Sequence, residues 1–239
     1  MTSIITYNPK DSVKIVEYLQ YDSSKNLITL NYRDYDTLGG FLYLDSGSWY
    51  FNVDPATNLP VSYTVIYKKY FYTANDIQVH NMYYDNQKRL VQDSMLSNTY
   101  GNAPPSSIYY KYSTDLIVSY RFFPNIYDPA SQTYRTDTLI DSMVLSNGNL
   151  VRQALYYPKN GSLQTTDIHT INGYTSVMNP LYNPELSNSL GAFLVDQFLF
   201  DGLSKNLTSD GGGNWVKDSK GRVVSGTGAE GYIFTFIYQ

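Results

Sequence analysis

The fold predicted for this chain is mainly β: an antiparallel meander bent into a strongly curved sheet or partly closed barrel, with one amphipathic helix near residues 184–200. Three observations carry that expectation. Only 16% of the residues are charged, against about 25% in an ordinary soluble domain, and the surplus goes to 26 Tyr, 10 Phe and 2 Trp, side chains that fit a pleated surface. Apolar residues alternate with polar ones at a period of two. Short polar turns punctuate the chain almost throughout.

The alternation is clearest in three places. Val61, Tyr63, Val65 and Tyr67 are interleaved with Ser62, Thr64 and Ile66. Leu116, Val118, Tyr120 and Phe122 alternate with Ser119 and Arg121, which reads as a half-buried strand with the former set covered. In the last strand Tyr232, Phe234, Phe236 and Tyr238 share one face and Ile233, Thr235 and Ile237 the other, so both sides are expected to be at least partly covered.

Between such runs a degenerate unit recurs, in which an aromatic strand end meets a polar turn and the strand restarts at Leu or Val. It reads Tyr21-Asp22 to Leu27, Tyr84-Asp85 to Leu90 and Lys217-Asp218 to Val223, with weaker copies ending at Leu116, Leu150 and Leu163. Asp or Ser opens each turn by accepting a backbone amide two residues on, and Asn or Gly takes the positive φ. The spacing is irregular, which favours consecutive hairpins over a solenoid. The 239 residues suit one β domain spanning 1–239, since barrels and sandwiches exceed 200 residues without splitting.

One segment departs from this pattern. Asn183 is placed to cap, Pro184 suits the first helical position, and Leu186, Leu190, Phe193, Leu194 and Phe198 follow helical spacing up to Asp201-Gly202. The stripe is expected to pack on the sheet, because it lacks the basic flank of an interfacial helix.

Several function classes are set aside on residue chemistry. With no cysteine, thiol catalysis and cysteine-ligated metals are out. A net charge of -4, with basic residues adjacent only at Lys68-Lys69 and Lys88-Arg89, does not make the positive footprint that nucleic acid needs. No apolar run is long enough for a transmembrane helix. Gly226-Thr227-Gly228-Ala229-Glu230-Gly231 matches the dinucleotide-binding glycines by letter, but a strand follows instead of a helix. His80 and His169 are expected to be ordinary polar strand residues, with neither a nucleophile elbow nor zinc spacing nearby. Asp34 and Asp36 flank Tyr35 on one side of a strand near Asp22, Asp45 and Asp54; paired carboxylates can drive glycoside hydrolysis, though turn opening accounts for most of these aspartates. No catalytic residue, metal ligand or cofactor is therefore assigned.

Tyrosine is the one residue type in functional excess. Trp49, Tyr50, Tyr109, Tyr110 and Tyr112 are the candidate ligand-binding residues, since flat amphipathic rings stack on sugars while their hydroxyls bond polar groups. A glycan or another envelope component is the corresponding partner.

The tyrosine-aspartate turns, Asn179-Pro180-Leu181-Tyr182 leading into the helical segment, Ser204-Lys205-Asn206-Leu207 after it, and the closing Lys217-Asp218-Ser219-Lys220-Gly221-Arg222-Val223 form one ordered set. In that order the chain resembles the uncharacterised bacterial lipoproteins of domain-of-unknown-function family 4595, described as having a porin-like β fold and hairpins in the style of YD-repeat proteins. The resemblance implies export to the periplasm or outer-membrane surface as a lipoprotein, its signal absent from the sequence at Met1-Thr2-Ser3. It supplies no catalytic residues. The expected function is a non-enzymatic, exported, envelope-associated binding or scaffolding protein; the alternatives are a carboxylate-based glycan-active enzyme and an outer-membrane β-barrel, whose terminal strand the final aromatic alternation resembles.

Overall fold

The computed structural model describes residues 3–8, 13–24, 26–38, 41–68, 75–99, 106–128, 132–159, 162–171, 173–179, 206–208, 214–227 and 233–238. The helix expected near 184–200 lies outside them. Among the described residues seventeen strands run in chain order: β1 Ser3–Asn8, β2 Val13–Tyr21, β3 Leu27–Leu38, β4 Phe41–Asp54, β5 Leu59–Lys68, β6 Asp76–Tyr84, β7 Leu90–Asn98, β8 Ser107–Tyr112 and β9 Leu116–Asp128, then β10 Thr133–Ser146, β11 Asn149–Lys159, β12 Ser162–Thr170, β13 Tyr174–Met178, β14 Asn206–Thr208, β15 Val216–Lys217, β16 Val223–Thr227 and β17 Ile233–Ile237.

From β1 to β12 each strand pairs antiparallel with the next, as a meander requires, and β17 pairs with the free side of β1. The result is one 15-stranded sheet running from β12 through β1 to β17, β16 and β15, while β13 and β14 form a separate pair. The edge strands β12 and β15 are not paired with each other among the described residues. Residues opposite one another across a ladder share a face. By that rule Ile4, Leu19, Leu30, Trp49, Val65, Met82, Ile117, Met143 and Phe236 all lie on one face, and all belong to a single buried cluster. A flat single sheet would leave that face in water. The sheet therefore curls around it.

The turns of β2–β3, β6–β7 and β15–β16 share one construction. Asp22 Oδ1 accepts the Asn26 amide at 2.8 Å; Asp85 Oδ1 accepts the Arg89 amide and Asp218 Oδ1 the Arg222 amide, each at 2.9 Å. The residue that restarts the strand then drops into the core: Leu27, Leu90 and Val223 are 1%, 0% and 4% exposed. Asn147 and Gly148, with φ of 51° and 78°, make the β10–β11 hairpin, where two successive positive φ values match the strand twist.

Tyrosines lock three strand restarts, Tyr112 from the paired strand β8, Tyr238 from just past the end of β17 and Tyr174 from β13 of the separate pair. The Tyr112, Tyr174 and Tyr238 hydroxyls donate to the carbonyls of Leu90, Leu150 and Val223. Asn206 of the Ser204-Lys205-Asn206-Leu207 motif is held by Asn149, its amide donating to Asn149 Oδ1 at 2.8 Å, and Leu207 enters the core at 1% exposed. Gly226 has a packing role: a Cβ there would stand 2.1 Å from the Trp215 ring.

One expected face is corrected. In β9 the inward residues are Ile117, Ser119 and Arg121, while Leu116 and Phe122 are 36% and 37% exposed. In β17 the Phe234 and Phe236 side packs on the core, and the other side is covered only in part, with Thr235 half-buried and Ile233 and Ile237 41% and 42% exposed. Both follow from a curled sheet with one enclosed face, whose interior also accepts polar groups.

Candidate functional site

The five candidate rings do not come together. Trp49 and Tyr110 lie in the core at 1% and 3% exposed. Tyr112 also faces inward and is spent on the Leu90 carbonyl at 2.7 Å. Tyr50 and Tyr109 face outward, 48% and 39% exposed, but Tyr50 stands opposite Thr29 and Thr64 and has no aromatic cross-strand partner there.

Tyr109 belongs to a continuous outward row. Across six adjacent strands, β6 to β11, the register sets Tyr83 opposite Gln92, Gln92 opposite Tyr109, Tyr109 opposite Tyr120, Tyr120 opposite Ile140 and Ile140 opposite Tyr156. At about 4.8 Å per strand the row spans about 24 Å. Its orientation is fixed locally: Phe122 meets Tyr109 edge-on at 5.7 Å, Gln92 Nε2 donates to the Tyr109 hydroxyl at 3.4 Å, and Lys111 Nζ sits 4.9 Å over the Tyr120 ring. Tyr83, Tyr120 and Tyr156 escape the sequence reading because rows across strands appear only once register is known; alternation within each strand is the sole signal.

The enclosed face is apolar toward the Asp-opened turns and polar beyond. Asp93, 1% exposed, accepts from the Tyr63 hydroxyl at 2.7 Å and lies 2.9 Å from His80 Nδ1. The His80 ring stacks on Tyr63 at 4.4 Å. Burial, then the Asp93 charge, holds the Tyr63 hydroxyl protonated well above its ordinary range. This network ties β5, β6 and β7 together, and His80 shares its side with Gln78 and Met82. His169 is exposed beside Asp167.

Of the aspartates, Asp22 and Asp54 are turn openers. Asp34 and Asp45 are not, for they stand directly opposite each other on β3 and β4, while Asp36 pairs with Tyr43. Glu17 of β2 faces inward between Ile4 and Tyr32. It is 6% exposed, and burial pushes its carboxyl up to about 8. Alternation of Val13, Ile15, Glu17 and Leu19 is the signal that marks it, though it reads as a polar interruption.

Among solved structures the chain is similar to a porin-like protein from Bacteroides uniformis ATCC 8492, at 10% identity and a TM-score of 0.42, covering 99% of this chain and 96% of that one. No family model matches the chain. No curated protein matches it.

Proposed function

We propose that the chain is a non-enzymatic, exported, envelope-associated binding protein that holds an extended glycan along its outward aromatic row. The observation that carries this reading is the run of Tyr83, Tyr109, Tyr120 and Tyr156 at one level of six adjacent strands, with polar Gln92 within it. Exposed rings supply flat apolar area and their hydroxyls bond to polymer hydroxyls, with little charge involved. A lipid-facing role fits the same surface poorly. Ser62, Asn81, Ser94 and Ser107 form the adjoining outward row, and Lys14, Arg33, Lys68 and Lys111 are exposed, whereas a bilayer demands an uninterrupted apolar band.

The lipoprotein anchor belongs to the same proposal and rests on the tyrosine-aspartate motif order. A glycan array probed in low and high salt tests the binding. Retained hits that persist in salt support the reading, because stacking is weakly screened; an array without hits leaves scaffolding as the better role. The enzyme alternative requires a polysaccharide to be cleaved, with cleavage abolished by Asp34→Asn or Asp36→Asn.

A further inference from the structure

The outward row does not run straight, because the sheet that carries it bends. On the inner face the Tyr63 hydroxyl of β5 reaches past β6 to donate to Asp93 of β7 at 2.7 Å. Burial raises the Tyr63 and Tyr67 hydroxyls above their ordinary range, and the Arg121 guanidinium of β9 pulls the other way. β5 and β9 are four strand steps apart in the sheet, about 19 Å if it were flat. Inner side chains from these strands converge, so the outer face over the same strands is convex. A polymer lying along the row has to bend with it.

The row also lacks charge. Tyr83, Gln92, Tyr109, Tyr120, Ile140 and Tyr156 are all neutral, and Lys111 beside them is seated over the Tyr120 ring at 4.9 Å. An uncharged row matches a neutral polymer. A β-1→4 chain of equatorial sugars is a stiff ribbon, and on a convex surface it touches at a tangent and reaches few of the rings. A 1→6 linkage inserts one more rotatable bond between sugars, which lets the chain follow the curve.

Resting on the glycan reading above, we propose that the row takes neutral 1→6-linked glycans and discriminates against flat β-1→4 ribbons. Ordering a flexible chain costs entropy, so binding is weak for each sugar and grows as the chain reaches further rings.

The test is calorimetric titration of the full chain with isomaltotriose and isomaltohexaose, which are 1→6-linked, and with cellotriose and cellohexaose, which are β-1→4-linked. Isomaltohexaose should bind about tenfold more tightly than isomaltotriose as added contacts join on one chain, while the two β-1→4 ligands should differ little. Tyr83→Ala, at one end of the row and 47% exposed in the parent, should bring isomaltohexaose toward the triose and leave the triose unchanged. A 1→6 series that gains nothing with length, or an equal gain in the β-1→4 series, would overturn the linkage preference and leave the glycan reading standing. No binding in either series would remove both. The length dependence is read on the parent chain, so it decides whether or not the variant folds.

Discussion

The guanidinium of Arg89 lies 4.7 Å from the ring centre of Tyr112, and the same arrangement recurs 4.4 Å apart between Arg222 and Tyr238. In both places an aspartate four residues earlier fixes the arginine, Asp85 at 2.7 Å and Asp218 at 2.8 Å. The tyrosine hydroxyl then reaches the carbonyl just beyond the arginine, at Leu90 or Val223. The turn, its ion pair and the ring on another strand thus form one unit that closes the apolar end of the interior.

Tyr112→Phe separates the parts of that unit, because it keeps the ring under Arg89 and removes only the 2.7 Å bond to Leu90. A loss of about 1 kcal/mol is expected, read as a lower urea midpoint at unchanged slope. Tyr112→Ala should cost more, since the ring is packed against the core. An unchanged midpoint for Tyr112→Phe would mean that water replaces the hydroxyl.

Lys88 holds φ of 63° in the β6–β7 turn, where the matching position of the β15–β16 turn is Gly221 at 76°. Both donate their amide to the opening aspartate's carbonyl, Asp85 or Asp218. Lys88→Gly keeps that bond and relieves the left-handed conformation, so a gain of roughly 0.5–1 kcal/mol is expected. Lys88→Val should lose stability in the same chemical-denaturation assay.

Gly47→Ala is expected to be among the most damaging single-methyl changes in the chain. The added Cβ meets two ring systems at 2.4 and 2.9 Å, and overpacking of this kind costs about 1–3 kcal/mol or more. A thermal midpoint equal to that of the parent would show that Tyr32 moves aside freely.

Glu17 sets an alkaline limit on stability. Its carboxyl titrates at its ordinary 4.5 when unfolded and near 8 when folded. Between those values the folded chain retains a proton that the unfolded chain has released, so stability falls as pH rises through that interval. Below it the contribution is flat. Melting points measured from about pH 5 to about pH 9 should therefore decline, and Glu17→Gln should remove this part of the slope. Asp22, Asp54, Asp85 and Asp218 act in the opposite sense at the acid end, since hydrogen bonding holds them below their ordinary range and their contribution disappears as pH falls.

The hairpins were legible in the sequence because Asp22, Asp85 and Asp218 act within five residues, a range at which local chemistry decides the backbone. Which face of a strand turns inward is a property of the whole sheet. In β9 the apolar set Leu116, Val118, Tyr120 and Phe122 looks like the covered side, yet Ser119 and Arg121 point inward because the interior beyond the core is polar. The candidate rings divide for the same reason: Tyr109 and Tyr110 are neighbours in sequence and on opposite faces of β8. Tyr50 and Tyr109 share the outer face, but only register distinguishes the one inside the row from the one outside it.

That distinction supplies the decisive measurement, the retardation of the folded chain and its variants in gels cast with soluble dextran, mannan or xylan. At least one polymer should retard the parent, and Tyr83→Ala and Tyr109→Ala should lose most of that retardation at unchanged melting temperature. Tyr50→Ala, which removes an equally exposed ring outside the row, should migrate as the parent does. Free migration of the parent through every polymer, or equal losses for Tyr50→Ala and Tyr109→Ala, would contradict the assignment of glycan binding to the row.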